Sequence, residues 1–311
     1  GNIMEKLIYM DNAATTSTAP EVVSAMLPFF TEYYGNPSSV YNFAQKSKMA
    51  IEDAREIIAD SIGAAKSNEI YFTGGGSESD NWALKSAAFG LRDKGNHIIT
   101  TKIEHHAILN TCAYLEKNGF EVTYLDVDSE GFVSLEDVEN AITEKTILIS
   151  VMFANNEIGT IEPVCEIGEI AHKHGILFHT DAVQAMCHVP TNVTEMNIDL
   201  LSASAHKFHG PKGVGFMYMK NSAKLEPFIH GGAQERARRA GTSNVPGIVG
   251  MGQAVKLALS TLDKDTHTII NMRNYIVDRI LGEIPDVTFD GPCIDANAVS
   301  AGSPAGSLKR P

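Results

Sequence analysis

The chain has 311 residues, enough for one large domain and part of a second. Hydrophobic residues make up 43% and charged residues 20%, which is typical of a soluble protein with a sizeable core. Its 38 acidic and 25 basic residues give a net charge of −13, which argues against a nucleic-acid or anionic-membrane partner. No stretch approaches the roughly 18 consecutive apolar residues that cross a bilayer. The 4 cysteines have no CxxC spacing, so we expect no zinc site and no disulfide framework, and a cytoplasmic location.

Strands and helices are predicted to alternate along most of the chain. The pattern predicts strands at 69–72, 97–101, 121–126, 146–153, 176–178 and 199–203. Helices are predicted from Ser77 through Lys85, at 107–117, at 135–141 and from Pro163, followed by two amphipathic helices at about 246–260 and 267–284. Strands separated by helices of this length imply right-handed crossovers and a mostly parallel sheet.

Candidate ligand-binding residues follow the predicted strands, where an open parallel sheet binds its ligands. The glycine run 74–76 and Ser77 stand between a strand and a helix, and the free backbone N–H groups expected there attract phosphate. His105 follows the next strand and could stack on an aromatic ring or move protons. Asn156 follows another strand and could cap a turn or bond a ring oxygen. Each of these signals, taken alone, could be an ordinary glycine turn, a turn cap or a surface histidine. A site is indicated because several of them are predicted at the same edge of the sheet.

The strongest chemical signal is the pairing of Lys207 with Asp181. Lys207 follows a strand of small residues and precedes a glycine-rich turn, so its amine is placed to condense with an aldehyde. Asp181 ends another apolar strand. Pyridoxal phosphate (PLP) needs both, because a lysine holds it covalently and a buried carboxylate keeps its pyridine nitrogen protonated, so that the ring can act as an electron sink. Gln184 is placed to donate to the phenolic oxygen of the same cofactor, and Ser204 and His206 flank the lysine closely enough to contact a phosphate.

A series of segments in the chain resembles the cysteine desulfurases of the NifS/IscS type, which are class-V, fold-type-I PLP enzymes. The segments are 9–16, 35–39, 72–81, 104–107, 155–160, 181–184, 204–207, 231–235 and 239–242. The resemblance covers residues 9 to about 285 and implies an α/β fold with a mostly parallel central sheet flanked by helices. It also implies a large PLP-binding domain at 16–250 and a small domain, shortened here, formed by 1–15 and 251–311.

The resemblance implies a role for each candidate residue. Lys207 is implied to form the Schiff base with PLP and to move substrate protons, while His105 stacks over the ring as the second catalytic residue. Asp181 is implied to pair with the pyridinium nitrogen, and Gln184 and Asn156 to lie at the ring oxygen. The implied phosphate-binding residues are Gly76, Ser77, Ser204, His206 and, from the neighbouring subunit of a homodimer, Thr242.

The implied reaction removes sulfur from L-cysteine or a related amino acid. It leaves L-alanine and a persulfide on an enzyme cysteine, which passes sulfur to an iron–sulfur scaffold or another sulfur-acceptor protein. Family members carry this cysteine in a mobile loop of the form Ser-x-Gly-Ser-Ala-Cys, where the present chain has Pro304 and Ala305 at the Ala-Cys positions. We therefore expect the chain to bind substrate without turning cysteine over to persulfide. Cys293 is expected to be incidental rather than a replacement nucleophile.

Two alternative functions remain open from the sequence. One is another PLP-dependent lyase or aminotransferase, for instance a selenocysteine-lyase-like activity, which needs no enzyme cysteine. The other is a catalytically silent PLP-binding dimer that serves as a scaffold for sulfur-transfer partners. Release of alanine and sulfide from cysteine distinguishes the main function from the scaffold, and a panel of amino acids tests the other lyases. No metal site is expected, because His172 and His174 diverge on a helix.

Overall fold

A computed structural model describes residues 7–223 and 225–292 of the chain. Its strands are β1 (Ile70–Thr73), β2 (His97–Thr101), β3 (Glu121–Leu125), β4 (Thr146–Ser150), β5 (Leu177–Asp181), β6 (Leu200–Ser204) and β7 (Gly215–Met219). Within the described residues they form one sheet in the order β1-β7-β6-β5-β4-β2-β3. The strands β3, β2, β4, β5 and β6 pair in parallel, which confirms the predicted mostly parallel sheet.

Strand β7 is the antiparallel member of the sheet, and it was not predicted from the sequence. It pairs antiparallel with β6 on one side and with β1 on the other. Because β7 is reversed against both neighbours, β1 points in the same direction as β6. The carboxyl ends of β1, β2, β4, β5 and β6 therefore meet at one edge of the sheet, as the site prediction requires.

The helices are α1 (Pro20–Met26), α2 (Pro28–Thr31), α3 (Gln45–Ser61), α4 (Gly76–Gly90), α5 (His106–Glu116), α6 (Leu135–Ala141), α7 (Val164–Lys173), α8 (Gln234–Ala237) and α9 (Val245–Glu283). Helices α4 and α5 cover one face of the sheet around the fully buried Trp82. Helices α3, α7 and α9 contribute to the core on the opposite face. Successive residues of a strand point to opposite faces of the sheet. Ile98 therefore belongs to the core beneath α4 and α5, and Ile99 to the core on the opposite face.

The two predicted C-terminal helices are one continuous helix, so that prediction was wrong. Helix α9 runs for 39 residues from Val245 to Glu283. The stretch 261–266 is polar but contains neither glycine nor proline, and Thr261 Oγ1 donates a hydrogen bond to Asp265 Oδ2 over 2.6 Å. Polar residues on an exposed helix face do not end a helix when no helix breaker is present. The helix also crosses the predicted boundary between 250 and 251, and the division into two domains stays a prediction.

Among the described residues, α9 is the one helix that is long and apolar enough to cross a membrane. Its N-terminal part is nevertheless part of the protein core, where Ile248, Met251 and Val255 are buried. This part packs against α3 and α1. A core helix passes the same test of length and composition, so we make no membrane assignment.

Candidate active site

Lys207 lies at the carboxyl end of β6, in the single 3₁₀ turn Ala205–Lys207 that follows the strand. Its side chain is half-buried and reaches back to the N-terminal segment, where Nζ donates hydrogen bonds to the carbonyl oxygens of Ala13 and Ala14, the latter over 2.9 Å. Burial lowers the pKa of Lys207, while the negative charges of Asp11 and Asp181 limit the shift. The amine is therefore held by neutral acceptors near the end of β5, and it loses its proton more readily than a solvated lysine.

Asp181 ends β5 next to Lys207 and is almost completely buried. One carboxylate oxygen, Oδ1, accepts a hydrogen bond from the Val183 amide over 2.9 Å. Burial raises the pKa of Asp181, whereas the hydrogen bond from Val183 and the charges of His105 and Lys207 oppose the shift. A buried carboxylate near the amine of Lys207 is a suitable partner for a cationic ring nitrogen.

The glycine run lies between β1 and α4, as predicted. Gly75 has φ 152° and ψ −175°, a conformation open to glycine but not to residues with a side chain. A Cβ at Gly76 would lie 2.6 Å from a methyl group of Val183, so the loop also packs too closely for a larger residue. No side chain caps the first turn of α4, which leaves its backbone N–H groups available for an anion.

A cavity of about 470 Å³ opens at this glycine loop. Its lining includes four of the five predicted phosphate-binding residues, Gly76, Ser77, Ser204 and His206. Lys212 also lines the cavity and was not predicted, although it stands in the glycine-rich turn after Lys207. Burial and the positive charges of Lys207 and Lys212 lower the pKa of His206, whose Nδ1 lies 3.0 Å from the Thr15 hydroxyl. Helix amides, hydroxyls and a lysine together form a suitable site for a phosphate group.

A second cavity, of about 850 Å³, opens on the other side of Lys207. Gln184 and Asn156 line it together with the lysine, while their contacts to a ring oxygen stay a prediction. Gln184 donates a hydrogen bond from Nε2 to the carbonyl of Ala13 over 3.0 Å, so it shares an acceptor with Lys207. The exposed Asn156 follows Asn155, whose side chain accepts the amides of Glu157 and Ile158 and shapes the turn.

Three predicted residues, Asp181, His105 and Thr242, line neither cavity. His105 is exposed at the N-terminus of α5, where its Nδ1 accepts a hydrogen bond from the Ala107 amide over 3.0 Å. His105 follows β2, whose carboxyl end lies at the same sheet edge. Thr242 is exposed and lines neither cavity of the described chain. That position fits the prediction that Thr242 serves a neighbouring subunit, which stays a prediction.

The residues before Thr242 are anchored to the glycine loop. Arg239 pairs with Glu78 on α4, with 2.7 Å between Nε and Oε1, and Glu78 also accepts the Gly74 amide over 2.8 Å. Sequence reasoning used Glu78 only as a sign of a helix start. The ion pair couples the position of the 239–242 segment to the loop proposed to hold phosphate.

The N-terminal segment contributes contacts that no sequence pattern specified. Besides the two carbonyls that hold Lys207, Thr16 donates from its hydroxyl to the His206 carbonyl over 2.7 Å and accepts the His209 amide over 2.8 Å. These contacts join residues about 190 positions apart in the chain. The motif at 9–16 marked the segment as part of the family resemblance, but its role is visible only in three dimensions.

The residues at this sheet edge fit PLP. The cofactor is an aldehyde with a basic ring nitrogen and a phosphate group. The edge presents an amine of lowered pKa in Lys207, a buried carboxylate in Asp181 and a glycine loop with an uncapped helix start. The amine suits the aldehyde, the carboxylate suits the cationic ring nitrogen, and the glycine loop suits the phosphate.

Comparison with known proteins supports the same assignment. The family model "Aminotransferase class-V" matches residues 8–301. A curated relative named cysteine desulfurase IscS, from Clostridium botulinum strain Hall, is 59% identical over 289 residues, which are 93% of this chain and 72% of the relative. A solved structure of a NifS-like protein superimposes with a TM-score of 0.86 at 42% identity and covers 88% of this chain and 76% of that chain.

A second solved structure, of SspA in complex with cysteine, superimposes with a TM-score of 0.78 at 47% identity. It covers 80% of this chain and 72% of that chain. The chain belongs to the class-V aminotransferase family, among its cysteine desulfurases, a family whose cofactor is PLP.

Proposed function

We propose that this chain binds PLP through Lys207 and activates L-cysteine for loss of its sulfur. The observation that carries the proposal is the half-buried amine of Lys207 beside the buried carboxylate of Asp181, at one edge of the sheet. The lowered pKa of Lys207 increases its neutral fraction, and the neutral amine is the form that attacks an aldehyde and accepts a proton. The cysteine desulfurase relatives and the structural neighbour solved in complex with cysteine support this substrate.

Bound PLP supplies an electron sink that weakens the Cα–H bond of an amino acid. Nζ of Lys207 accepts the Cα proton and returns it, because its lowered pKa increases the fraction of neutral amine. Asp181 holds positive charge on the ring nitrogen, and Gln184 and Asn156 orient the ring oxygen and the substrate. His105 stacks over the ring from the end of α5.

The phosphate of the cofactor is proposed to lie in the cavity at the glycine loop. Gly76 and Ser77 offer amides of the first turn of α4, while Ser204 and His206 offer side-chain donors. Thr242 completes this site from a second subunit, so the active unit is proposed to be a homodimer. Its exposure, and the Arg239–Glu78 ion pair that orients the segment before it, support this arrangement.

The described cysteines are proposed not to serve as the sulfur acceptor. Cys112 and Cys187 are buried and Cys165 is partly buried, and burial raises their thiol pKa values to about 12, 12 and 11. A thiol of such a pKa is protonated at neutral pH and is a poor nucleophile. We propose a cytoplasmic location, which the buried thiols of Cys112 and Cys187, neither of them in a disulfide, support.

Because Cys293, which lies outside the described residues, is expected to be incidental, we propose that sulfur transfer uses a thiol from another protein. The loop with Pro304 and Ala305 lies outside the described residues, and its sequence offers no thiol. In the balanced reaction, L-cysteine and an acceptor thiol R–SH give L-alanine and the persulfide R–S–SH. A sulfur-acceptor protein or an iron–sulfur scaffold is the proposed source of that thiol. Alone, the chain is expected to bind cysteine without catalytic release of alanine.

Exchange of the Cα proton tests the proposal directly. The chain is loaded with PLP and incubated with L-alanine in deuterated water, and loss of the Cα proton signal is followed by nuclear magnetic resonance. We expect exchange with the wild-type chain and exchange slower by about 100-fold or more with Lys207→Ala. Cofactor binding without exchange for L-alanine, L-cysteine or other amino acids would overturn the enzymatic proposal and favour the silent scaffold.

A further inference from the structure

A buried polar cluster lies directly behind Asp181, on the sheet face that α4 covers. It consists of Asp80 from α4, Ser150 from β4, His179 from β5 and Ser202 from β6. The strand register brings these residues side by side, since Ser150 pairs with His179 and Asp181 pairs with Ser202. Each member is 1% exposed or less. Such a cluster in an otherwise apolar core is costly unless its groups satisfy one another.

Hydrogen bonds connect the cluster in a line. His179 Nδ1 lies 2.8 Å from the Ser150 hydroxyl, and its Nε2 lies 2.9 Å from the Ser202 hydroxyl. The same Nε2 is 3.7 Å from Asp80 Oδ1, an atom with no hydrogen-bond partner among the described residues. The carboxyl group of Asp80 in turn contacts the Ser202 hydroxyl and the carboxyl group of Asp181.

Two buried carboxyl groups in contact require one proton between them. Burial raises the pKa of Asp80 well above its usual range, and the negative charges of Asp181 and Glu104 raise it further. Burial also lowers the pKa of His179 to about 3, so its imidazole is neutral and cannot act as the counter-ion. The proton therefore resides on Asp80, and Asp181 is the anion.

We propose that Asp80 is a positioning residue, whose protonated carboxyl donates to Asp181 and keeps that carboxylate oriented as the single anion required by a protonated ring nitrogen. The inference rests on the proposed function, because it gives Asp80 a role toward PLP. This role explains why Asp80 is buried in the first turns of α4 next to the carboxylate of Asp181, without a positively charged partner. The pair presents one negative charge to one ring cation, whereas ionisation of both would bury two charges in contact.

The first test uses the protein without PLP, so it does not depend on cofactor binding. Thermal midpoints of the wild type and Asp80→Asn are compared from about pH 4.5 to about pH 8. A group whose pKa is raised by folding contributes stability at low pH that is lost as the pH rises toward its folded pKa. We expect the midpoint of the wild type to fall relative to that of Asp80→Asn as the pH rises.

The expected difference should become smaller in an Asp181→Asn background, because the negative charge that pushes up the pKa of Asp80 is then absent. Glu162→Gln is the matched control. Burial raises the pKa of Glu162 to about 7, so this substitution should also change the pH dependence of stability, but independently of Asp181. Parallel midpoint curves for the wild type and Asp80→Asn, or the same difference with and without Asp181, would overturn the inference.

The second test measures PLP by its visible absorbance and by equilibrium binding. Asp80→Asn keeps an N–H donor toward Asp181 and should retain PLP affinity within about threefold. Asp80→Ala removes the donor and should weaken PLP binding by about tenfold or more and shift the pH at which the visible band titrates, while Glu162→Gln should change neither. An unchanged spectrum and affinity in Asp80→Ala would overturn the positioning role. If the wild type itself bound no PLP, the proposed function would fail, while the first test would still decide whether Asp80 shares its proton.

Discussion

Glu235 anchors the segment that leads to Thr242, and its replacement by alanine should strongly destabilise the protein. Its carboxylate accepts two hydrogen bonds from Arg55, each 2.8 Å long, and one from the Phe72 amide at 2.9 Å. The two charged side chains are only 6% and 4% exposed. Glu235, Arg236 and Ala237 have φ values of 44°, 57° and 60°, a left-handed conformation that costs about 1–2 kcal/mol per residue.

The magnitude follows from what Glu235→Ala leaves behind. Removing one partner of a buried ion pair costs about 3–5 kcal/mol. Arg55 keeps Glu52 and the Ile70 carbonyl as partners, so we expect the lower end of that range. The Phe72 amide also loses its acceptor, which costs about 1–3 kcal/mol. The two costs overlap, since the same relaxation and water penetration relieve both, so we expect a loss of about 4–6 kcal/mol. That is a large part of the roughly 5–15 kcal/mol that stabilises a typical domain.

Urea denaturation, followed by circular dichroism, measures this loss. Glu235→Gln should cost less, because an amide oxygen still accepts from Phe72, and the double variant Arg55→Met/Glu235→Leu should recover part of the loss. Glu283→Gln is the control, since it breaks a pair of similar geometry with Arg279 at an exposed site and should leave the midpoint unchanged. A loss below about 1 kcal/mol for Glu235→Ala would refute the view that this ion pair holds the strained turn.

Three further predictions concern the site itself. Lys207 should react with an amine-modifying reagent at lower pH than Lys220, because its pKa is lowered and only the neutral amine reacts; mass spectrometry of partially modified protein checks the order. Asp181→Ala should retain the covalent link to PLP but lose most of the Cα-proton exchange, and unchanged exchange would show that another group supplies the electron sink. Sedimentation should show a dimer whose PLP affinity falls on dilution, and Thr242→Ala should weaken PLP retention without dissociating the dimer, whereas a monomer that binds PLP tightly would refute a shared site.

Local signals in the sequence predicted several elements well. The bounds of β2 and α6 agree with the prediction because each has a clear local signature. Helix α6 follows Ser134, whose hydroxyl accepts the Asp137 amide over 3.2 Å as an N-cap. Strand β7 was missed because its short apolar run follows a glycine-rich turn and has no periodicity of its own. Its position between β1 and β6 is set by contacts that are distant in the chain.

The candidate site likewise contains residues that could be predicted from the sequence and residues that could not. Residues at the ends of strands, such as Lys207 and Asp181, could be predicted because parallel sheets gather such positions at one edge. The carbonyls of Ala13 and Ala14 that hold Lys207 could not, since a backbone acceptor leaves no mark in the sequence. Asp80 was equally hidden, because an acid in the first turns of a helix usually faces solvent and favours the helix dipole. Its burial against Asp181 is a property of the tertiary fold.

Lys207 is proposed to be the residue that holds PLP. The most direct measurement is borohydride reduction of the PLP-loaded protein, followed by peptide mapping with mass spectrometry. We predict one pyridoxyl group per chain, attached to Lys207 and absent from Lys207→Ala. A label on Lys212, which lines the neighbouring cavity, or on Lys220 would contradict this assignment.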